Sequence, residues 1–132
     1  MKSETGARWM VVDHDAQTLE TVATLLRVFS DVEICPFQST TDALDAFVAA
    51  PDSFAMVITD FDMPQMNAVD FRRHLQTLVP DLKVFVITGS GMFTEENARR
   101  GGFCGLLRKP FTLGALKRAV DCAQSNSVAR TV

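Results

Sequence analysis

Three observations predict an α/β fold: a five-stranded parallel sheet with helices on both faces. Five short apolar runs rich in Val, Ile, Leu or Phe are spread along the chain. Segments with helical apolar spacing lie between them, and this alternation implies parallel strands joined by crossover helices. Two of the runs, Met56–Ile58 and Val84–Ile87, are apolar at every position, as expected of strands covered on both faces.

The first run is Trp9–Val12, whose leading tryptophan ring is expected to be partly exposed. Leu19, Val22, Leu26 and Phe29 then recur at helix spacing. The second run, Val32–Phe37, contains Pro36, which lacks the ladder N–H and belongs at a sheet edge. Ser39 and Asp42 form a cap-like pair before a shorter stripe of Ala43, Leu44, Phe47 and Val48. The third run, Met56–Thr59, precedes a stripe of Phe71, Leu75 and Leu78, and the fourth is Val84–Thr88.

The stretch Thr94–Arg100 carries a full set of end signals. Thr94 can cap, Glu95 and Glu96 occupy the first turn, Arg99 and Arg100 the last, and Gly101 follows as a stop. It has almost no apolar stripe and is expected to be the least anchored helix. The fifth run, Gly105–Arg108, is followed by Leu113, Leu116, Val120 and Ala123. Strand–helix units thus occur five times. The doubly wound, flavodoxin-like strand order 2-1-3-4-5 puts the Pro36 strand at an edge.

Composition narrows the class further. A chain of 132 residues with 47% hydrophobic content fits one self-sufficient domain. No apolar run approaches the roughly 20 residues of a membrane helix, and Met1–Arg8 does not read as a signal peptide. Thirteen Lys and Arg against sixteen Asp and Glu, a net charge of -3, give no electrostatic reason for nucleic-acid binding. Cys35, Cys104 and Cys122 are odd in number and without CxxC spacing, so they read as reduced thiols in a cytoplasmic protein. Met1–Ala7 and Ser125–Val132 read as frayed tails.

Parallel α/β sheets bind ligands beyond the carboxyl ends of their strands, where strand order reverses. Asp13-His14-Asp15 follow the first strand, Asp60 and Asp62 the third, while Thr88 closes the fourth and Lys109 follows the fifth. Carboxylates gathered in a small cleft need cations. Lys109 supplies one charge, and Mg²⁺, which prefers hard oxygen ligands, is the natural second. Asp60 then suits a nucleophile attacking phosphorus, with Thr88 available to a phosphoryl oxygen.

The runs VVDHD, ITDFDMPQMNAVDF, VFVITGSG and LLRKPF, in that order from Trp9 to about Ala123, resemble the CheY-like receiver domain of two-component response regulators. The resemblance implies Asp60 as phospho-acceptor and Thr88 and Lys109 as its phosphate partners. It implies Mg²⁺, with Mn²⁺ as a substitute, held by Asp13, Asp60 and the backbone carbonyl of Asp62. The donor would be a histidine kinase or phosphotransfer protein. Output would pass to a downstream protein through the face of the fourth helix, fifth strand and fifth helix, from a monomer or weak homodimer. Residues 8–124 would form the receiver domain, with 1–7 and 125–132 as flexible tails. The length suits a single-domain regulator or a piece of a larger protein.

Three positions depart from the family pattern. His14 stands where the family has its second acid, and imidazole is a poor ligand for Mg²⁺. Weakened Mg²⁺ binding is therefore expected, with Asp13 taking over directly or through water and Asp15 as a third candidate. His14 itself is open between metal ligand, site-lining donor and solvent-facing loop residue. Leu106 replaces the usual aromatic that changes rotamer with Thr88, which puts that coupling in doubt. Asn67-Ala68 replaces the Asp-Gly of the family turn.

Two other readings compete. A pseudo-receiver would use the same fold as a phosphorylation-independent interaction module, with His14 and Leu106 in its favour. An aspartate-nucleophile phosphatase would share the Asp-x-Asp at 60 and 62, but needs that motif on the first strand and further acids soon after the lysine. The glycines of Thr88-Gly89-Ser90-Gly91 lack phosphate-loop spacing and read as a loop. Met63 and Met66 read as packing residues, and His74 as exposed.

Overall fold

The first strand, β1 (Arg8–Val12), lies inside the sheet between β2 (Glu33–Phe37) and β3 (Phe54–Asp60). Outward from β3 come β4 (Lys83–Thr88) and β5 (Gly105–Arg108), and every pairing is parallel, in the order 2-1-3-4-5. This computed structural model describes residues 8–130, with side chains as far as Ser125. The helices are α1 (Ala16–Phe29), α2 (Thr40–Ala49), α3 (Ala68–Leu78), α4 (Glu95–Arg100) and α5 (Leu113–Arg130).

Strand periodicity sorts the core into two layers. Met10, Val12, Val57, Val84 and Val86 pack with Phe47 of α2, Phe71 and Leu75 of α3 and Ala98 of α4. Their neighbours Trp9, Val11, Met56, Ile58, Phe85 and Ile87 pack on the opposite face with Leu19, Val22 and Leu26 of α1 and Leu116, Val120 and Ala123 of α5. Successive strand residues point to opposite faces, so an all-apolar run serves both layers. Each such fully buried side chain contributes roughly 1.5–3 kcal/mol of transfer free energy.

Pro36 sits opposite Val11 on β2, an edge strand, where its missing N–H leaves no ladder bond broken. The caps expected from sequence form: Ser39 Oγ accepts from Asp42 N–H at 3.1 Å. Thr94 and Asn97 make a reciprocal capping box on α4. After α4 the left-handed residue is Gly102 (φ +87°) rather than Gly101. A Cβ there would also stand 2.7 Å from the Arg72 guanidinium.

Several expectations need correction. Trp9 is buried, because β1 is covered by α1 and α5 on the side its ring faces. β3 begins at Phe54, not Met56; Phe54 stacks on Phe47 at 5.7 Å and receives the Arg8 guanidinium over its ring at 4.5 Å. A 3-10 turn at Pro51–Ser53 precedes it. Val48, Leu78 and Leu113 are exposed although each fell in an apolar stripe. Val79, one residue on from Leu78, packs instead. Helical backbone continues to Arg130, past the tail expected from Ser125, since neither Pro nor Gly follows Gly114. The tail expected at residues 1–7 lies outside the described residues, as do 131–132.

Candidate functional site at the carboxyl end of the sheet

Register brings the acids together. β1 and β3 pair Val12 with Thr59, so the next residue of each strand, Asp13 and Asp60, ends beside the other. Both are buried at 4% exposure. Asp13 N–H still donates to Phe37 O and Phe61 N–H to Ile87 O, so the ladder holds the backbone on either side of the carboxylates.

Lys109 arrives from the end of β5, where its N–H donates to Thr88 O at 2.9 Å. Its ammonium bridges the two acids, with Nζ 3.2 Å from Asp13 Oδ2 and 3.2 Å from Asp60 Oδ1. Burial and then the Asp13 charge push the Asp60 carboxyl above its ordinary range, against the opposing pull of Lys109 and His14. For Lys109, burial works to lower the ammonium, but Asp13 and Asp60 reverse it and hold the group above its usual value.

Thr88 is fully buried at the end of β4, one residue beyond the Asp60–Ile87 pairing. Its Oγ1 accepts from Ser90 N–H at 2.9 Å. His14 is half exposed, yet its Nδ1 stands 3.4 Å from Asp60 Oδ2 and 3.9 Å from Asp13 Oδ1. Ligand atoms of Asp13, His14 and Asp60 thus fall within 4.8 Å of one another. Asp62 is exposed and shares a shallow recess with His14, Phe61, Met63, Pro64 and Asn67.

Asp15 is used differently. Its carboxylate caps α1, accepting from Thr18 N–H at 2.9 Å and Thr18 Oγ1 at 2.6 Å. Those two bonds hold its carboxyl below the ordinary value. Asn67 likewise caps α3 by accepting from Asp70 N–H at 2.9 Å, so the turn that departs from the family pattern starts a helix. Met63 is buried and Met66 half-buried in the core, and His74 is exposed.

Leu106 pairs with Val86 on β5 and packs at the core margin. It also lines a cleft of about 490 Å³ between α4 and α5, together with Phe85, Ala98, Arg99, Phe103 and Cys122. Sequence reasoning missed what holds the loop from β4 to α4. The Arg108 guanidinium donates to Ser90 O at 2.6 Å and to Phe93 O. The Phe93 ring stacks on Phe61 at 4.1 Å and meets Phe103 edge-on at 6.2 Å. An arginine closing a short strand was the only signal, and nothing local says which carbonyls it will find.

Buried carboxylates bridged by an ammonium, beside a buried threonine hydroxyl, can hold a tetrahedral anion and a cation at one point. The hard oxygens of Asp13 and Asp60 fit a divalent ion such as Mg²⁺, whereas the imidazole nitrogen between them fits it less well. The sequence model of the response regulator receiver domain matches residues 9–121. The chain is 36% identical over 115 residues to the DNA-binding transcriptional regulator NtrC of Rhizobium meliloti, covering 85% of this chain. Over 119 residues it is 29% identical to the chemotaxis protein CheY-3 of Vibrio cholerae, covering 85% of this chain and 87% of CheY-3. It spans only 23% of the length of NtrC and 25% of the transcriptional regulatory protein FlgR of Helicobacter pylori. A solved receiver domain protein from Clostridium thermocellum superimposes with a TM-score of 0.79 at 28% identity, over 95% of this chain and 96% of that one.

Proposed function

This chain belongs to the family of response regulator receiver domains, and on that premise we propose that Asp60 accepts a phosphoryl group from a histidine kinase or phosphotransfer protein. Receiver domains are signalling phospho-acceptors in two-component systems, not turnover enzymes in the ordinary sense. The observation that supports an acceptor at this point is the Lys109 ammonium shared between two buried carboxylates; Asp60 is the one that ends β3, between the strand leading to Asp13 and the strand ending in Thr88.

In the proposed reaction a carboxylate oxygen of Asp60 attacks phosphorus. The P–N bond of the donor phosphohistidine breaks, and its imidazole leaves with the bonding pair and takes up a proton. Lys109, already at the carboxylates, offsets charge on the phosphoryl oxygens. Thr88 donates its hydroxyl to one of them while still accepting from Ser90 N–H, so the β4–α4 loop feels the new group. Asp13, Asp60 and the Asp62 carbonyl would hold the divalent ion. When bound, that ion supplies positive charge against the transferring phosphoryl group. His14, standing at the acidic ligand position, weakens Mg²⁺ there.

Output would follow from altered contacts of α4, β5 and α5 with a downstream protein. α4 buries only Ala98, so little apolar packing opposes its movement. Leu106 brings no hydroxyl to that change, and Phe61 and Phe93 link the acceptor loop to α4 instead. Among the described residues no helix is long and apolar enough to cross a membrane, and we assign the protein to the cytoplasm with the kinase domains it would meet.

Incubation with a small phosphodonor and a Mg²⁺ or Mn²⁺ series tests the reading by intact mass. One phosphoryl adduct is expected, absent in Asp60→Asn. No adduct at any ion concentration would overturn it in favour of a phosphorylation-independent interaction module, the reading that His14 supports. Repeated turnover of a phosphate ester would point to a phosphatase, although Asp60 ends the third strand rather than the first.

A further inference from the structure

The two carboxylates turn one oxygen each toward Lys109 and the other toward His14, with Asp13 Oδ1 also accepting from Asp15 N–H at 2.9 Å. Asp13 Oδ2 and Asp60 Oδ1 face Lys109 Nζ. Asp13 Oδ1 and Asp60 Oδ2 face His14 Nδ1, at 3.9 and 3.4 Å. The imidazole nitrogen and the carboxylates' oxygens form a triangle with sides within 4.8 Å, using oxygens other than those that face Lys109. In a tetrahedral site with bonds of about 2.1 Å, ligand atoms stand about 3.4 Å apart. One side of the triangle already has that length and the second needs only a small inward movement.

The surroundings suit an ion arriving from solvent. The acid side chains are 5% and 3% exposed and fixed at strand ends, whereas the imidazole is 50% exposed. Gln38 Nε2 donates to His14 O at 3.3 Å, tethering the backbone that carries the ring.

Mg²⁺ gains little from such a set, because it wants hard oxygens in octahedral array and gives up water reluctantly. Replacing a carboxylate by imidazole also removes one negative charge, which costs affinity for a hard ion most. Borderline first-row ions accept mixed nitrogen and oxygen donors, and three protein ligands with a vacant position is their common arrangement. We propose that Asp13, His14 and Asp60 form an imidazole–dicarboxylate site selective for a divalent transition ion of the Zn²⁺ class over Mg²⁺. This rests on the reading of Asp13 and Asp60 as the ion-holding acids, and it makes His14 the residue that chooses the ion.

The test is calorimetric titration of the full chain with Zn²⁺, Mn²⁺ and Mg²⁺, in a Cys122→Ser background that removes the exposed thiol. His14→Ala should weaken Zn²⁺ at least tenfold. His14→Asp should lower the ratio of Zn²⁺ to Mg²⁺ affinity at least tenfold, with Mg²⁺ binding more tightly. Histidine ring resonances give a second readout: the His14 signals should shift on Zn²⁺ addition while those of exposed His74 stay. Unchanged Zn²⁺ affinity in His14→Ala, or a silent His14 ring, overturns the proposal. Failure of the acceptor reading looks different. Zn²⁺ selectivity without any phosphoryl adduct would sink the acceptor and leave the site. An Asp60 adduct forming with the same Mg²⁺ dependence in the unaltered chain and His14→Asp would sink the site and leave the acceptor.

Discussion

At the junction of β1 and β3, every residue from Met56 to Asp60 is buried, and Asp13 and Asp60 stand on backbone held by ladder bonds on both sides. At the α4–β5 edge, α4 buries only Ala98 and no residue of β5 is fully buried. What holds that edge is a capping box, the Arg108 bonds to two carbonyls, and a three-ring contact through Phe93. Segments with many buried apolar contacts open only at high cost, whereas those with few buried contacts and exposed polar bonds open locally. The charged groups are therefore placed on the region least able to move. The element proposed to respond is placed where local opening costs least.

The largest expected effect breaks the rigid side. Ile58→Ala, in the central β3, should lower stability by about 2–5 kcal/mol in urea denaturation. Met92→Ala, on the exposed β4–α4 loop, should stay within about 0.5 kcal/mol. Comparable losses from the two would erase the contrast.

Next is Lys109→Met, which leaves two buried carboxylates without their shared donor. A loss of about 1–3 kcal/mol is expected at neutral pH. Added divalent ion should recover more Tm in this variant than in the unaltered chain, since it then becomes the principal neutralising charge. Equal recovery would show that lysine and ion do not share the same carboxylates.

Thr94→Ala removes the α4 cap and should cost about 1 kcal/mol. Amide exchange across 95–101 should speed several-fold while β3 amides stay unchanged; a parallel change in β3 would mean the edge does not open independently. Smallest is a difference in thiol reactivity. Burial pushes the Cys35 thiol above its ordinary value, so less thiolate is present at a given pH, whereas Cys122 is exposed on α5. Alkylation at mildly basic pH should label Cys122 well before Cys35, with the Cys35 rate rising only at higher pH. The raised thiol also favours the folded state below the unfolded thiol value, and that contribution fades as pH rises through the folded one. Equal alkylation rates would place Cys35 outside the protected sheet.

Much of the fold was legible because its signals are local. Pro36 marked the edge strand, Ser39 and Thr94 marked helix starts, and the continuous runs at Met56 and Val84 marked strands covered on both faces. Legibility failed where a side chain's fate depends on a distant partner. Trp9 is buried by α1 and α5, and Phe54 joins β3 because Phe47 and Arg8 receive its ring. The site divides the same way. Strand ends named Asp13, Asp60, Thr88 and Lys109 as candidates, but nothing local told which carbonyls Arg108 would bond or that Phe61 would stack on Phe93.

By itself, the sequence determined the alternation of strands and helices, the two-layer core and the set of polar residues delivered to one end of the sheet. These follow from period-2 and period-3.6 patterns that a few neighbouring residues decide. Tertiary structure alone decided which carboxylate oxygen faces Lys109 and which faces His14. Those outcomes depend on the register of β1 against β3 and on the reach of side chains from strand ends far apart in the chain, and both are set by packing.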